Sequence, residues 1–400
     1  MARKRIRLGL NDLPDSLLIF ILSKISFKQA VRCSVLSKRW KFFWTVLPNL
    51  KFSTGDFSAS SCSRAVDNIF KLHSGLLERF EFNKSSCTRR SRDKICEWIS
   101  YAALKDVREL SIEESTSRPY EVPISIFLCQ SLRFLALSNF LLTNMPDSFA
   151  GFAGLATLNL YNVEVRGKTI ELMLQLCPVL EILILCKCKG LHRLQIYSDS
   201  LIFLNLSSEI AGIKANCPRL ETLILSKKMW GSTVEAEFYL PSCLSLCTYV
   251  AQLKRITTLK SVRNITLLDL IRKYEVKILR EFPDLEQLCF DTAGCSSSDF
   301  SYWEYLNSFS KFSATFSLEN LKRVHLNMTI FYDPTPLLTC LLPRAPAMKT
   351  LLVSRKKGFK SIKARQFLNR LGNFQREYTE IEILLSRNTL KEGRCLSCEF

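Results

Sequence analysis

Cys177-Pro178-Val179-Leu180-Glu181-Ile182-Leu183-Ile184-Leu185 returns as Cys217-Pro218-Arg219-Leu220-Glu221-Thr222-Leu223-Ile224-Leu225, and more loosely as Phe282-Pro283-Asp284-Leu285-Glu286-Gln287-Leu288. Agreement of this kind within one chain marks an internal repeat. Its apolar frame is L-x-x-L-x-L with other aliphatics allowed. The frame recurs at Val107-Leu110-Ile112, Leu132-Leu135-Leu137, Leu155-Leu158-Leu160, Leu180-Leu183-Leu185, Leu191-Leu194-Ile196 and Leu201-Leu204-Leu206. It continues at Leu220-Leu223-Leu225, Val262-Ile265-Leu267, Leu285-Leu288-Phe290, Leu321-Val324-Leu326 and, more weakly, Met348-Leu351-Val353.

The early copies start roughly 25 residues apart, within the leucine-rich-repeat range, and the later spacing is irregular. Each copy encodes one short strand whose fourth and sixth positions point inward by the two-residue period. One such unit cannot bury its own apolar face, so the units stack into a curved parallel sheet. The fold class is therefore α/β, an irregular leucine-rich-repeat solenoid. Alternating positions face the concave side, among them Thr157, Asn159, Asn205, Ile224 and His325. Phe134, Ile182, Ile184 and Phe203 are the apolar anchors on that side, and they are the candidate substrate-binding residues. Two stretches, Ser226 to Lys260 and Asp291 to Ser317, break the spacing and read either as binding loops or as irregular repeats.

A different pattern precedes the array. Leu17, Leu18, Ile21, Leu22 and Ile25 follow one helix face, with Pro14 near its first turn. Phe27, Ala30, Val31 and Val35 repeat that spacing. A third helix carries Trp40, Phe43, Trp44 and Leu47, with Ser37 as its expected N-cap. Pro48 to Arg64 reads as a connection. Three short helices make a very small core, and so many large apolar side chains exceed what they can cover alone. Part of that surface is expected to meet a partner.

Composition narrows the function. Hydrophobic residues are 47% and charged residues 23% of the 400, a balance that excludes a largely disordered chain. The apolar run Leu17 to Leu22 is too short for a signal peptide, and no stretch approaches the roughly 20 apolar residues of a membrane span. An intracellular location, nucleus or cytoplasm, is the expectation. The 16 cysteines are scattered and read as reduced, mostly buried thiols rather than a disulfide framework. A net charge of +19 raises nucleic acid as a partner, but the basic residues fall in small separated groups rather than one stripe. Arg3 to Arg7 also matches a nuclear import signal, a pattern that short basic runs reach by chance.

No catalytic, metal or cofactor site is legible. Gly167-Lys168-Thr169 lacks the first glycine of a phosphate-binding loop, since Asn162 stands there. Cys395-Leu396-Ser397-Cys398 has no second ligand pair, and Cys186 and Cys188 beside His192 are incomplete for zinc. With His73, His192 and His325 as the full histidine complement, triads are scarce. The expectation is a non-enzyme with no cofactor.

Leu13-Pro14-Asp15, Ile21-Leu22-Ser23 and Val31-Arg32-Cys33-Ser34-Val35-Leu36-Ser37-Lys38-Arg39-Trp40 resemble the F-box. The full chain resembles the plant F-box family that carries leucine-rich repeats and a C-terminal FBD region. Trp98-Ile99-Ser100 before Val107-Arg108-Glu109-Leu110 resembles the opening of those repeats, and Ser317-Leu318-Glu319-Asn320-Leu321-Lys322-Arg323-Val324 resembles the start of the FBD. The resemblance implies an F-box at 6–52, repeats at 60–312 and an FBD-like α+β region at 313–390. It further implies docking on a Skp-type adaptor, and through it a cullin, while the repeats hold an unknown protein substrate for ubiquitination. Carried over by position, the adaptor-facing residues are Leu13, Pro14, Ile21, Leu22, Val31, Val35, Leu36 and Trp40. The alternative is a basic nucleic-acid-binding or scaffold repeat protein.

Overall fold

The computed structural model describes residues 10–53, 56, 62–84, 89–114, 119–225, 235–248, 259–267, 276–291, 317–328, 335–356, 370–374 and 376–388. The chain divides into two compact units, Met1–Leu191 and His192–Phe400.

The first unit opens with α1 (Asp15–Ser23), α2 (Phe27–Arg32) and a 3-10 segment at Trp40–Val46. Ser26 starts α2 with a capping box: the Gln29 N–H donates to Ser26 Oγ at 3.3 Å, and the Ser26 N–H donates to Gln29 Oε1 at 3.2 Å. The expected side-chain cap at Ser37 is corrected. Its backbone carbonyl accepts from the Trp40 N–H at 3.1 Å, while its buried Oγ has no partner among the described residues. The third piece is a 3-10 helix, whose i to i+3 bonding engages that carbonyl instead. Leu18, Leu22, Phe27, Ala30, Trp40, Phe43 and Leu47 form the small core.

The repeats follow without a gap: β1 (Asn49–Ser53), α3 (Cys62–Leu72), β2 (Arg79–Lys84), α4 (Arg89–Leu104), β3 (Glu109–Glu114), β4 (Tyr120–Glu121), β5 (Phe134–Ser138) and β6 (Phe140–Leu142). Then come β7 (Thr157–Tyr161), β8 (Glu164–Val165), α5 (Gly167–Leu176) and β9 (Ile182–Cys186). β1, β2, β3, β5, β7 and β9 pair in that order, all parallel. Register aligns the inward residues into two columns: Leu50, Phe80, Leu110, Leu135, Leu158 and Leu183, then Phe52, Phe82, Ile112, Leu137, Leu160 and Leu185. Every member is buried, each contributing about 1.5–3 kcal/mol of apolar transfer. The ladder thus begins at Asn49, inside the stretch assigned to the F-box, and β1 and β2 lie ahead of the first motif copy recognised in the sequence.

Two residues beyond the last motif leucine, Asn139 (φ 66°), Asn162 (φ 51°) and Lys187 (φ 55°) turn the chain off the sheet in the left-handed region. The Asn139 N–H donates to the Tyr161 carbonyl at 3.1 Å and the Asn162 N–H to the Cys186 carbonyl at 2.8 Å. Asn162 Nδ2 donates to Asn139 Oδ1, so successive turns are stitched together. Behind the sheet, Trp98 packs on Phe82 and donates from Nε1 to Asp67 at 2.8 Å. Phe127, Phe149 and Phe152 form a second aromatic cluster. Gly151 (φ 93°) lies so close to α5 that a Cβ there would stand 2.0 Å from the Leu176 carbonyl oxygen.

On the outward face of the first turns, opposite charges meet across neighbouring strands. Lys51 pairs with Glu81 at 2.7 Å and Arg79 with Glu109 at 2.5 Å, while Asn83 Nδ2 donates to Glu113 at 2.6 Å.

The second unit has two parallel sheets. β10 (Arg193–Tyr197), β12 (Gly212–Asn216) and β14 (Glu235–Tyr239) form one. β11 (Phe203–Ser207), β13 (Thr222–Leu225), β15 (Ser245–Thr248), β16 (Asn264–Leu267), β17 (Gln287–Asp291), β18 (Arg323–Met328), β19 (Thr350–Lys356) and β20 (Glu382–Asn388) form the other. This corrects the reading of Leu191-Leu194-Ile196 as another main-ladder repeat. Six residues separate β9 from β10, too few for a parallel crossover, which needs a dozen or more. β15 falls inside the stretch read as broken spacing, so at least that part is an irregular repeat. Residues 292–316 lie outside the described set, as do Arg3 to Arg7 and the Cys395–Cys398 pair. β18, α6 (Thr335–Leu341), β19 and β20 continue the parallel ladder to Asn388.

His73 ties the N-terminal helices to the repeats. It is 5% exposed, with Nε2 2.9 Å from the Leu47 carbonyl oxygen and Nδ1 buried without a partner among the described residues. Nearby, the Ser74 N–H donates to the Thr45 carbonyl at 2.9 Å, and Phe27 packs edge-on against Phe52 at 5.4 Å. Burial pushes the His73 pKa below its ordinary 6.5, against the Leu47 carbonyl and with help from Lys105. The folded state therefore resists the proton that the unfolded state accepts, so stability is full above about pH 6.5 and falls as the pH drops through the depressed value. The midpoint of urea unfolding should decline between about pH 7 and 5.5 in the native chain and decline less in His73→Gln; equal declines would remove His73 as the cause.

Candidate functional site

Burial divides the eight residues that the F-box resemblance assigns to adaptor contact. Leu22 and Trp40 are 1% and 4% exposed and belong to the core of the helical unit. Leu13 and Val31 are half-buried, and Pro14 is exposed at the start of α1. Ile21, Val35 and Leu36 are exposed, the last two at 85% and 63%. Leu22 and Trp40 thus act on the exposed set from beneath, by holding its backbone.

The structure adds Leu10, Leu17, Phe20, Ile25 and Phe42, all exposed large apolar side chains within the first fifty residues. The signal for two of them, Leu17 and Phe20, lies in α1. Leu17-Leu18-Ile19-Phe20-Ile21-Leu22 is apolar on all sides, and a helix apolar all round is one that is covered all round. Leu18 and Leu22 face the core, while Leu17, Phe20 and Ile21 share the opposite stripe by the i, i+3, i+4 rule. Cations edge the surface: Lys24 Nζ lies 4.6 Å from the Phe20 ring centre and Lys41 Nζ 5.2 Å from that of Phe42.

Arg39 joins the two ends of the unit. Its Nε donates to Asp15 at 3.0 Å, its Nη2 forms an ion pair with the same carboxylate, and Nη2 also donates to the Leu13 carbonyl at 2.6 Å. The Leu-Pro-Asp opening and the Ser-Lys-Arg-Trp segment are thereby held side by side.

Of the four candidate substrate anchors, Phe134 and Ile182 lie in one outward column with Thr157 between them, and Ile184 lies in the adjacent column with Asn159. Phe203 heads the outward column of the second unit, followed by Thr222 and Ser245. All four are half-buried. The outward face is not open along its whole length: Ile224 and Cys247 are 4% and 2% exposed although their parity places them there.

Among the described residues no group of three or more His, Cys, Asp or Glu could hold a metal ion. Gly167 begins α5 and is buried. Cys188 donates to the Leu160 carbonyl at 3.4 Å. Burial pushes the thiols of Cys217 and Cys243 up to about 12, and those of Cys129, Cys177 and Cys340 upward as well, so these buried groups stay protonated thiols, and burial also raises half-buried Cys96.

Residues 10–52 match the F-box domain family, and residues 95–239 match the family described as FBD-associated F-box protein At5g56370, LRR repeats. Curated relatives from Arabidopsis thaliana include F-box/FBD/LRR-repeat protein At1g13570, 29% identical over 57% of this chain and 56% of its own length. The probable FBD-associated F-box protein At1g32375 is 36% identical over 54% of each chain, and FBD-associated F-box protein At5g38590 is 35% identical over 43% of each. The chain spans about half the length of the curated relatives it matches. A helical trio that shares its core with a parallel leucine-rich ladder, matched by both profiles, defines an F-box protein with leucine-rich repeats. Over the matched residues the chain is similar to plant F-box/FBD/LRR-repeat proteins.

The division into core and surface is directly measurable. Trp40→Ala should cost about 3–5 kcal/mol of stability by emptying a buried aromatic site, whereas Val35→Ser should change stability by less than about 0.5 kcal/mol. Urea unfolding of the two variants checks this, and a comparable loss from Val35→Ser would place that side chain in the core.

Proposed function

We propose that the chain is a substrate-recognition subunit of an SCF-type cullin-RING ubiquitin ligase, with the F-box docking on a Skp-type adaptor and the repeats holding a protein target. The observation that carries this reading is the second apolar face of the helical unit. Leu17, Phe20, Ile21, Val35, Leu36 and Phe42 remain exposed after the core has closed, and a face of that kind marks an interaction surface. F-box/LRR proteins are a family of non-enzymatic adaptors, and in this role the chain contributes position alone. A lysine on the held target gains effective concentration near the ubiquitin thioester. Phe134, Ile182 and Ile184 are the target contacts of the first unit, and Phe203 is that of the second. The FBD-like reading of residues 313–390 and a nuclear or cytoplasmic location belong to the same proposal. Among the described residues no helix is long and apolar enough to cross a membrane.

Co-purification with the adaptor tests it. The full chain should retain a Skp-type adaptor and cullin, and Leu13→Ala with Pro14→Ala, or Val35→Ser with Leu36→Ser, should lose at least about tenfold in adaptor affinity, the effect of removing a central apolar contact. Recovery of adaptor unchanged by both double variants would overturn the docking face. The net charge of +19 keeps a nucleic-acid reading in view. Binding of that kind weakens steeply as salt rises through counterion release, while apolar docking barely changes.

A further inference from the structure

The second unit carries a thiol, an imidazole and a hydroxyl within reach of one another on the outward face of three neighbouring strands, Ser354 standing beside Asn327 one step along. Cys289 on β17 and His325 on β18 stand in register, with Sγ 3.6 Å from Nδ1. On β19, Ser354 Oγ lies 2.8 Å from His325 Nε2. Cys289 and His325 are both half-buried, and Ser354 is 6% exposed. Thr266 and Leu352 flank the pair in the same column. On that face the charged positions of these strands are Arg323, Asp291 and Lys356, none of them in register with the pair.

With its hydrogen on Nε2, donated to Ser354 Oγ, the imidazole presents the Nδ1 lone pair to the Cys289 thiol. The second ring nitrogen is thus set by its own partner, as it is wherever histidine serves as a base. We propose that Cys289 is a reactive-thiol site, deprotonated by His325 and open to mixed-disulfide formation with small disulfides. The Sγ proton passes to Nδ1, and the thiolate attacks one sulfur of the incoming disulfide. A new S–S bond forms as the old one breaks, and the departing thiolate leaves as a thiol with the proton returned by the imidazolium. The contrast within the molecule is sharp, since burial holds Cys217 and Cys243 as thiols, and the thiolate is the nucleophile. An adduct at Cys289 would add bulk and polarity to the outward face of the second unit, so the oxidation state of the surrounding thiol pool would alter what that face can bind. The site is independent of adaptor docking.

Brief labelling of the reduced full-length protein with iodoacetamide or with oxidised glutathione, read peptide by peptide, tests this. Half-exposed Cys33 serves as an internal reference. Near neutral pH, Cys289 should react about tenfold faster than Cys33, the ratio that one pKa unit produces. His325→Gln should bring it to the reference rate and shift its pH profile upward. Cys289 reacting no faster than Cys33, or unaffected by His325→Gln, overturns the proposal. Where His325→Gln exposes Cys217 and Cys243 to label, the fold has been lost and Ser354→Ala decides: slower labelling of Cys289 supports the site, and an unchanged rate overturns it.

Discussion

The structure depends on the fact that a parallel strand with one apolar face is complete only when a neighbour lies beside it. Its backbone groups need partners on both edges, and its inward leucines need the leucines of the next turn. In the first unit both needs are met by the same operation, because register brings Leu110, Leu135, Leu158 and Leu183 into one column while the ladder bonds form. The turns at Asn139 and Asn162 close each step by hydrogen-bonding to the following one. Stability is therefore a property of the stack, and no single copy of the motif possesses it.

The F-box obeys the same constraint at the other end. Its three short helical pieces bury Leu18, Leu22, Trp40 and Phe43, then lean on the first strand through Phe27 and Phe52. That contact uses one side of the unit. α1 is apolar on its other side as well, and the result is a small domain with a shared inner core and an uncovered outer stripe.

The repeats were legible because leucine at a fixed spacing is a strong two-residue signal. β1, β2, β15 and β20 were not, since Leu50 and Phe52, Phe80 and Phe82, or Leu246 and Thr248 fill the same positions with less uniform residues. Leu191-Leu194-Ile196 has the motif yet joins a different sheet, because the short distance to the preceding strand outweighs the pattern. The candidate adaptor-facing residues of the F-box were named as a group from sequence. Burial then separated Leu22 and Trp40 from Val35 and Leu36, a distinction that a helical period in a domain apolar on two sides cannot make. The Cys289–His325–Ser354 cluster was illegible for another reason: its members stand far apart in the chain, and only the strand pairing, with Ser354 one step beyond His325's partner Leu352, brings them together.

The cross-strand ion pairs of the first turns carry one more consequence. Lys51 beside Glu81, and Arg79 beside Glu109, each place a cation one strand before an anion. Individually such exposed pairs are worth about 0.2–1 kcal/mol. Their arrangement nevertheless gives the strands an order, because exchanging the first turn for the second would leave Lys51 beside Glu81 but part Arg79 from Glu109, setting Asn49 there instead, and would bring Glu81 to the position that receives the helices. The repeats look interchangeable through their leucines, but their charges make them a sequence with a beginning, one that gene duplication or recombination could lengthen in the middle far more easily than at its head.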